Sequence, residues 1–459
     1  MCKRKMKRIV LFSVIASIIC ISLQAQNQSQ VQDKTPAKLT FEDAVKIGLK
    51  RNVLLNQQKN QLEVNQAQKL NAVGNFLPGL NAQGYYQHQT GQQPDQTTGD
   101  LVDSETDNAG YQLNANLPIF NGLGRFNTLK SADNQLSAQG YLVKRSSQDV
   151  IFNVATQYLR VLLDQELLRI AEENHKAQQT LLDKIQASFD VGARAITDVY
   201  AQDAIVKGLQ VVAIRAKNDL ENDKSILSQI LQLDPAQTFE AVYPTFTQDY
   251  ANYKSVSLDS LIQVAIANRP DLEQANHQVQ ANKFFMRSQT GRFLPTLSAF
   301  ANYGSYYYSL IDGDFQTQIR SINPSLTYGL SLNIPILTQF QTRSQKVQSR
   351  ILYENSELNR QNVEKTVKLD VQRAYNNYIN AIEGYNASLS QLQSGQQALQ
   401  TQEESYLLGI SDQAALAQSN QVFVLAASSK AQAEVTLLFQ KVLLEYALGI
   451  IKEDDFVDK

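Results

Sequence analysis

The stretch Tyr111-Gln112-Leu113-Asn114-Ala115-Asn116-Leu117-Pro118-Ile119 alternates apolar and amide side chains, then stops at a proline. It recurs 217 positions later as Tyr328-Gly329-Leu330-Ser331-Leu332-Asn333-Ile334-Pro335-Ile336. A period of two is that of a β-strand with one apolar and one wet face. The same offset holds around it without a gap. Phe76-Leu77-Pro78-Gly79-Leu80 answers to Phe293-Leu294-Pro295-Thr296-Leu297, and Ser188-Phe189, Gly192, Leu227 and Leu231 answer to Ser405-Tyr406, Gly409, Leu444 and Leu448. A period this long, present twice, points to duplication of a whole structural unit rather than to a solenoid.

Each copy reads as helix, strand, loop, strand, very long helix, helix. Thr40 with Asp43 is a loose capping box, and Glu42 and Asp43 suit the first turn of a helix. That helix is expected from Thr40 to about Asn75, ended by Pro78. Its counterpart runs from Leu258 to Arg292, ended by Pro295. After each proline the strand period takes over. Leu80, Ala82, Gly84 and Tyr86 alternate with Asn81, Gln83, Tyr85 and Gln87. The polar set is Asn, Gln, Ser and Thr, which suits a water-filled lumen, and about ten residues is the length of a membrane-spanning strand. Tyr85, Tyr86, Tyr303, Tyr306, Tyr307 and Tyr308 are placed as an interfacial girdle. The connections Gln89 to Gly110, with Asp95, Asp100, Asp103, Glu105 and Asp107, and Leu310 to Asn323 read as polar loops. A soluble sandwich with one wet face is the rival reading, but nothing beyond these four strands reads as sheet.

The long helices follow. No proline interrupts 125–190 or 341–408, so each spans on the order of 100 Å. The helices Thr40 to Asn75 and Thr197 to Leu233 are each about 50 Å, so two placed end to end match one long helix. Val371, Tyr378, Tyr385, Leu392, Leu399 and Tyr406 step by seven, as do Val154, Val161, Leu168, His175, Leu182 and Phe189. Seven-residue steps make helices supercoil together. Ala374, Ala381, Ser388 and Gly395, three positions on, let neighbours approach closely. A soluble coiled-coil rod has the same heptads.

The amino terminus carries Lys3, Arg4, Lys5, Lys7 and Arg8, then the apolar run Ile9 to Leu23 and a small-residue site at Ala25. This is the pattern of a secretory signal peptide. Cleavage there takes the formal charge from −2 to about −7. Cys2 and Cys20, the only cysteines, lie in this segment, which leaves no disulfide or thiolate metal site in the exported chain. Cys20 is a weak lipidation candidate because Ile19 precedes it, where a small residue is usual. After Gln26 no apolar run of membrane-helix length is read, so the chain is either soluble and periplasmic or crosses a membrane as strands.

Catalytic chemistry is not read anywhere. His88, His175 and His277 lack metal-ligand spacing and are assigned to a loop, a heptad position and a polar helix face. No nucleophile triad, phosphate loop or dinucleotide fingerprint is present. The acidic balance, without basic clusters, argues against nucleic acid. No cofactor is expected.

The duplicated helix, Phe-Leu-Pro, strand, loop, strand, Pro-Ile, long-helix order resembles the TolC family of outer-membrane efflux proteins. So do the turn Val191-Gly192-Ala193-Arg194-Ala195-Ile196-Thr197-Asp198-Val199 and the helix-connecting Ala267-Asn268-Arg269-Pro270. The resemblance covers nearly all of Leu39 to Ile450. It implies a mixed α and β fold: a trimeric membrane β-barrel, four strands per subunit, continuous with a long periplasmic α-helical barrel. The implied divisions are signal peptide 1–25, leader 26–38, first repeat 39–233 and inter-repeat segment 234–255, then second repeat 256–450 and tail 451–459. Within the repeats lie strand pairs 77–120 and 294–337, long helices 125–190 and 341–408, and closing helices 197–233 and 412–450. The implied partners are two further copies, outer-membrane lipid, a periplasmic adaptor (membrane fusion) protein and an inner-membrane pump of RND or ABC type. The implied function is a passive exit duct of a tripartite efflux or type I secretion system. A soluble periplasmic coiled-coil adaptor or scaffold is the alternative. Gly192 and Gly409 open the two helix-helix turns of the tip. Where gated members carry arginine and aspartates, this chain has Ser411, Ala415 and Gln418. Arg194, Asp198 and Asp412 are therefore the charged gate candidates, with Tyr406 the last large heptad residue before the second turn.

Overall fold

The computed structural model describes residues 37–94, 99, 101–234, 239–243 and 253–453. The signal-peptide reading 1–25, nearly all of the leader, Asp95, Asp100 and residues 454–459 lie outside these. In chain order the elements are β1 (Ala37–Leu39), α1 (Phe41–Arg51), α2 (Val53–Gly74), β2 (Gly79–Pro94), β3 (Leu101–Asn121), α3 (Gly124–Asp190) and α4 (Ile196–Ile230). Then come β4 (Phe239–Ala241), α5 (Leu258–Asn268), α6 (Pro270–Gly291), β5 (Thr296–Tyr308), β6 (Ser325–Asn333), α7 (Gln341–Leu407) and α8 (Gln413–Leu448). The fold is mixed α and β, and mostly helical.

The Thr40 hydroxyl accepts the Asp43 N–H at 3.1 Å and starts α1. The single helix expected from Thr40 to Asn75 is two helices. Asn52 takes an extended ψ of 124°, and its side-chain oxygen accepts the Leu55 N–H at 2.9 Å, recapping the chain as α2. In the second half Arg269 breaks the helix in the same way, because the residue before a proline is pushed out of the helical region while Pro270 fits the first turn. Arg269 is 3% exposed. It donates to both Asp271 carboxylate oxygens at 2.9 and 2.5 Å, and lies 3.5 Å from Asp370 of α7. The break is thereby tied to the long helix.

β2, β3, β5 and β6 form one antiparallel sheet in that order, leaving β2 and β6 as its edges. Opposite residues share a face. One row, Ala82–Leu113–Tyr303–Leu326, is apolar, and the next, Asn81–Asn114–Asn302–Thr327, is polar. The apolar face is uncovered: Leu80, Tyr328, Leu330 and Leu332 are each more than 60% exposed. The six tyrosines divide between the faces. Tyr86, Tyr303 and Tyr307 fall on the apolar one, with Tyr111 and Tyr328, while Tyr85, Tyr306 and Tyr308 fall on the other.

The loop expected over Gln89 to Gly110 is largely paired strand. The ladder continues from Gln89↔Thr106 to Pro94↔Leu101, and Asp103, Glu105 and Asp107 stand on β3. Backbone pairing outlasts the apolar alternation that marked it. His88 is likewise in a strand, its Nδ1 2.8 Å from an Asp107 oxygen that also accepts the Tyr86 hydroxyl at 2.7 Å. The second connection holds a short helix, Phe315–Thr317, and one π-turn, Gln318–Ile322. Gln318, 0% exposed, accepts the Tyr308 N–H and donates to the Ile311 carbonyl at 2.7 Å.

A second, unforeseen sheet pairs β1 with β4 in parallel. It sits against α3, where the fully buried Tyr158 hydroxyl accepts the Val242 N–H at 3.0 Å and lies 2.6 Å from the Val242 carbonyl. Val150, Val154, Val161, Leu227 and Leu231 build the core here. Val367, Val371, Tyr378, Leu444 and Leu448 build a second core around α5 and α7. α8 corrects one expectation: it is long and apolar enough to cross a membrane by length and composition. It packs instead on α7, α3 and α5, with Leu437, Leu438, Leu444 and Leu448 buried.

α3 and α4 meet at a carboxyl pair. Burial pushes Asp164 up to about 7, with Asp223 and Asp219 of α4 adding to it and Arg160 opposing. A carboxyl raised in the folded chain binds its proton where the unfolded chain has lost it. Stability therefore falls as pH rises from the ordinary aspartate range through about 7. Thermal unfolding of Asp164→Asn in detergent should be flatter than the parent across that window; an unchanged pH slope would remove Asp164 as its source.

Candidate functional site at the helix turns

α3 and α7 are 67 residues each, about 100 Å of helix, and each leads from the sheet to a turn. Both turns close by the same bonds. Gly192 N–H donates to the Phe189 carbonyl at 2.8 Å and Ala193 N–H to that of Ser188 at 2.8 Å. Gly409 and Ile410 repeat this onto Tyr406 and Ser405 at 3.1 and 2.9 Å. This double bond pattern demands a left-handed residue, and Gly192 and Gly409 have φ of 78° and 73°.

Three of the sequence candidates come together. The Arg194 guanidinium lies 4.4 Å above the Tyr406 ring. It donates to the Tyr406 carbonyl at 3.3 Å and stands 4.0 Å from Asp198. One cation thus joins the first turn to the end of α7. Tyr406 is 2% exposed and packs with Ile185, Val199 and Leu416. Burial raises its phenol above the ordinary value, Arg194 opposes and Asp198 adds, so the ring stays neutral. Asp412 does not join them. It is the N-cap of α8, accepting the Ala415 N–H at 2.8 Å.

Sequence reasoning missed a buried amide chain beneath the turns. Gln202 of α4, 1% exposed, donates to the Gln178 side-chain oxygen at 2.9 Å and accepts from Gln413 at 3.1 Å. Gln413 also lies 3.3 Å from the Asp198 carbonyl, and Asn420 donates to Asn174 at 3.0 Å. The signal was available: Gln178 sits three positions after His175, where the second copy has the small Gly395. Amides at seam positions hold register among α3, α4 and α8 because an unpaired buried amide is costly. A cavity of about 350 Å³ lies alongside, lined in part by Asn174, Gln178, Leu399, Tyr406 and Phe423.

Gln202→Ala would strand the Gln178 and Gln413 amides. It should destabilise the helical part by about 1–3 kcal/mol, read by denaturant unfolding. A loss within error would mean that water replaces the amide without cost.

Comparison with known proteins places these features in context. The family described as outer membrane efflux protein matches residues 45–231 and 261–449. Outer membrane protein TolC of Escherichia coli K12 is 25% identical over 362 residues, covering 78% of this chain and 72% of that one. The Vibrio cholerae protein of the same name is 25% identical over 331 residues, 72% of each. Among solved structures, the outer-membrane channel OprN superposes with a TM-score of 0.75 at 18% identity over 89% of both chains. The Campylobacter jejuni outer membrane channel CmeC gives 0.77 at 17% identity over 89% of this chain and 85% of that one. At such identities the superpositions speak for the fold.

Proposed function

The chain belongs to the outer membrane efflux protein family, and from that premise we propose that three copies close into one duct through which cargo leaves the periplasm passively. The protein is an outer-membrane efflux channel, and its place is the outer membrane. The carrying observation for the closed assembly is the sheet. It has an uncovered apolar face, an amide-lined opposite face and two unpaired edges. Each edge N–H or C=O left without a partner in hydrocarbon costs several kcal/mol, so a lone four-stranded sheet has no stable place in a bilayer. Three such sheets supply twelve strands and leave no edge.

In this reading α3, α4, α7 and α8 of each copy build a helical tube below the barrel, and the two halves of the chain descend from one duplicated unit. The rival reading, a soluble periplasmic adaptor, has no use for an apolar sheet face. The duct works with a periplasmic adaptor and an inner-membrane pump that supplies the energy. The turns at Gly192 and Gly409 form the far end, where the adaptor docks. Arg194, with Asp198 and Tyr406, holds that end together, and Asp412 faces outward from it. The partly exposed Arg194–Asp198 pair, 4.0 Å apart, is worth about 0–1 kcal/mol, so a partner opens the end by binding the open form better.

Two outcomes check this. An arginine at Leu332 should cost about 2–4 kcal/mol and one at Ser331 much less, measured by unfolding from lipid; equal costs would overturn the assignment of faces. Replacing Asp198 by alanine should raise single-channel conductance in planar bilayers while the assembly stays intact. Unchanged conductance would move the closure elsewhere.

A further inference from the structure

α8 is seated unevenly between the two long helices. It packs more closely on α7 than on α3. At Gly395 of α7 a Cβ would lie 3.5 Å from both the Phe423 Cα and the Ala426 Cβ of α8, so these two helices touch there. The matching position on α3, 217 residues earlier, is the longer Gln178. One turn before it, α3 meets α8 through the Asn174–Asn420 amide pair. Beside this pair the cavity of about 350 Å³ stays open. Its volume is within the range of about 300–1,000 Å³ in which proteins hold small molecules. The closing of the turns does not use it.

The cavity wall is apolar for the most part, from Ile170 and Leu181 of α3, Leu399 of α7, and Leu416 and Phe423 of α8. Its polar groups are unequally served. The Asn174 oxygen takes a hydrogen bond from Asn420 at 3.0 Å, and the Gln178 oxygen takes one from Gln202 at 2.9 Å. Both residues are buried. Their oxygens are thereby used, while their side-chain NH2 groups, one helical turn apart on α3, have no protein partner among the described residues. Tyr406 lines the same cavity, and its buried hydroxyl also has no hydrogen-bond partner. A buried donor left unpaired costs free energy that an acceptor would recover. The site thus offers three donor groups against the one spare side-chain oxygen of Asn420. At its mouth Arg169 and Lys184 balance Glu173 and Glu403, and Arg169 is already held by Glu166 and Glu173. The rim selects neither sign of charge.

We propose that this cavity binds a small, uncharged ring compound rich in hydrogen-bond acceptors and poor in donors, a carbonyl compound of the diketone or quinone type. Phe423, Leu399 and Leu416 enclose the ring. The Asn174 and Gln178 amides and the Tyr406 hydroxyl donate to its oxygens. Such a molecule touches α3, α7 and α8 at once and ties the three helices together beneath the turns. The site lies within one protomer and does not rest on the assembly proposed above.

The test uses the full-length protein in detergent and 1,4-diacetylbenzene as the probe, an uncharged ring with a carbonyl on each side and no donor. The control is 1,4-diethylbenzene, the same ring without the oxygens. Isothermal titration of parent and variants in one detergent lets uptake by micelles cancel. The parent should bind the probe, and the control about ten-fold more weakly or not at all. Tyr406→Phe keeps the ring beneath Arg194 and should weaken the probe about five-fold. Ala427→Phe fills the cavity from α8 and Ala177→Phe fills it from α3. Each should abolish binding, and thermal unfolding without probe shows which of them is folded. Val422→Phe, on an exposed face of α8, should bind as the parent does. No binding to the parent, equal affinity for probe and control, or undiminished binding by Tyr406→Phe or by a folded cavity-filling variant would overturn the proposal.

Discussion

A peptide N–H or C=O in hydrocarbon has no water to bond, and everything above the helices answers to that fact. One chain offers a sheet of only four strands, from Gly79 to Asn333 in pieces separated by a long helical excursion. The two hairpins are self-sufficient inside. At β2 and β6 they are not, and the apolar face carrying Leu80, Leu330 and Leu332 has no protein over it. The proposed assembly resolves both deficits together. The helices then inherit their geometry: they are entered through the left-handed residues Gly122-Leu123 and Gln339-Phe340.

What the sequence made legible was whatever repeats. The strand faces, the two long helices and the glycine turns follow from periods of two and seven and from where proline stops. What it concealed was whatever depends on a single side chain or on backbone alone. The split at Asn52 turns on one amide capping Leu55, against a helical pattern that carries on regardless. The ribbon from Gln89 to Pro94 is polar on both faces, so pairing there leaves no apolar trace. β1 and β4 are three residues each, too short for any pattern, and are fixed by Tyr158 from a distant helix. At the turns, charge drew the eye to Asp412, which is engaged as a helix cap. The neutral Gln178, Gln202 and Gln413 form the buried connection.

The two halves also differ from each other where their neighbours differ. Gln178 and Gln202 correspond to Gly395 and Ser419, so the amide chain that ties the first helix pair to α8 has no counterpart on the second pair. Arg269 corresponds to Asn52, so a charged clasp ties the second break to α7 where the first has only a capping amide. One arrangement is thereby held near the turns and the other about half-way along α7.

The polar face of the sheet has one further property. From Asn81 and Gln83 through Gln112, Asn114, Asn302 and Thr327 to Ser331 and Asn333, it presents amides and hydroxyls and no fixed charge. Such groups solvate cations through oxygen and anions through N–H or O–H with similar ease. In the proposed bore a permeating ion meets neither a counter-charge to bind nor a like charge to repel it. The wall is electrically indifferent. Among the described residues, this face of the sheet has no charge with which to sort solutes by sign.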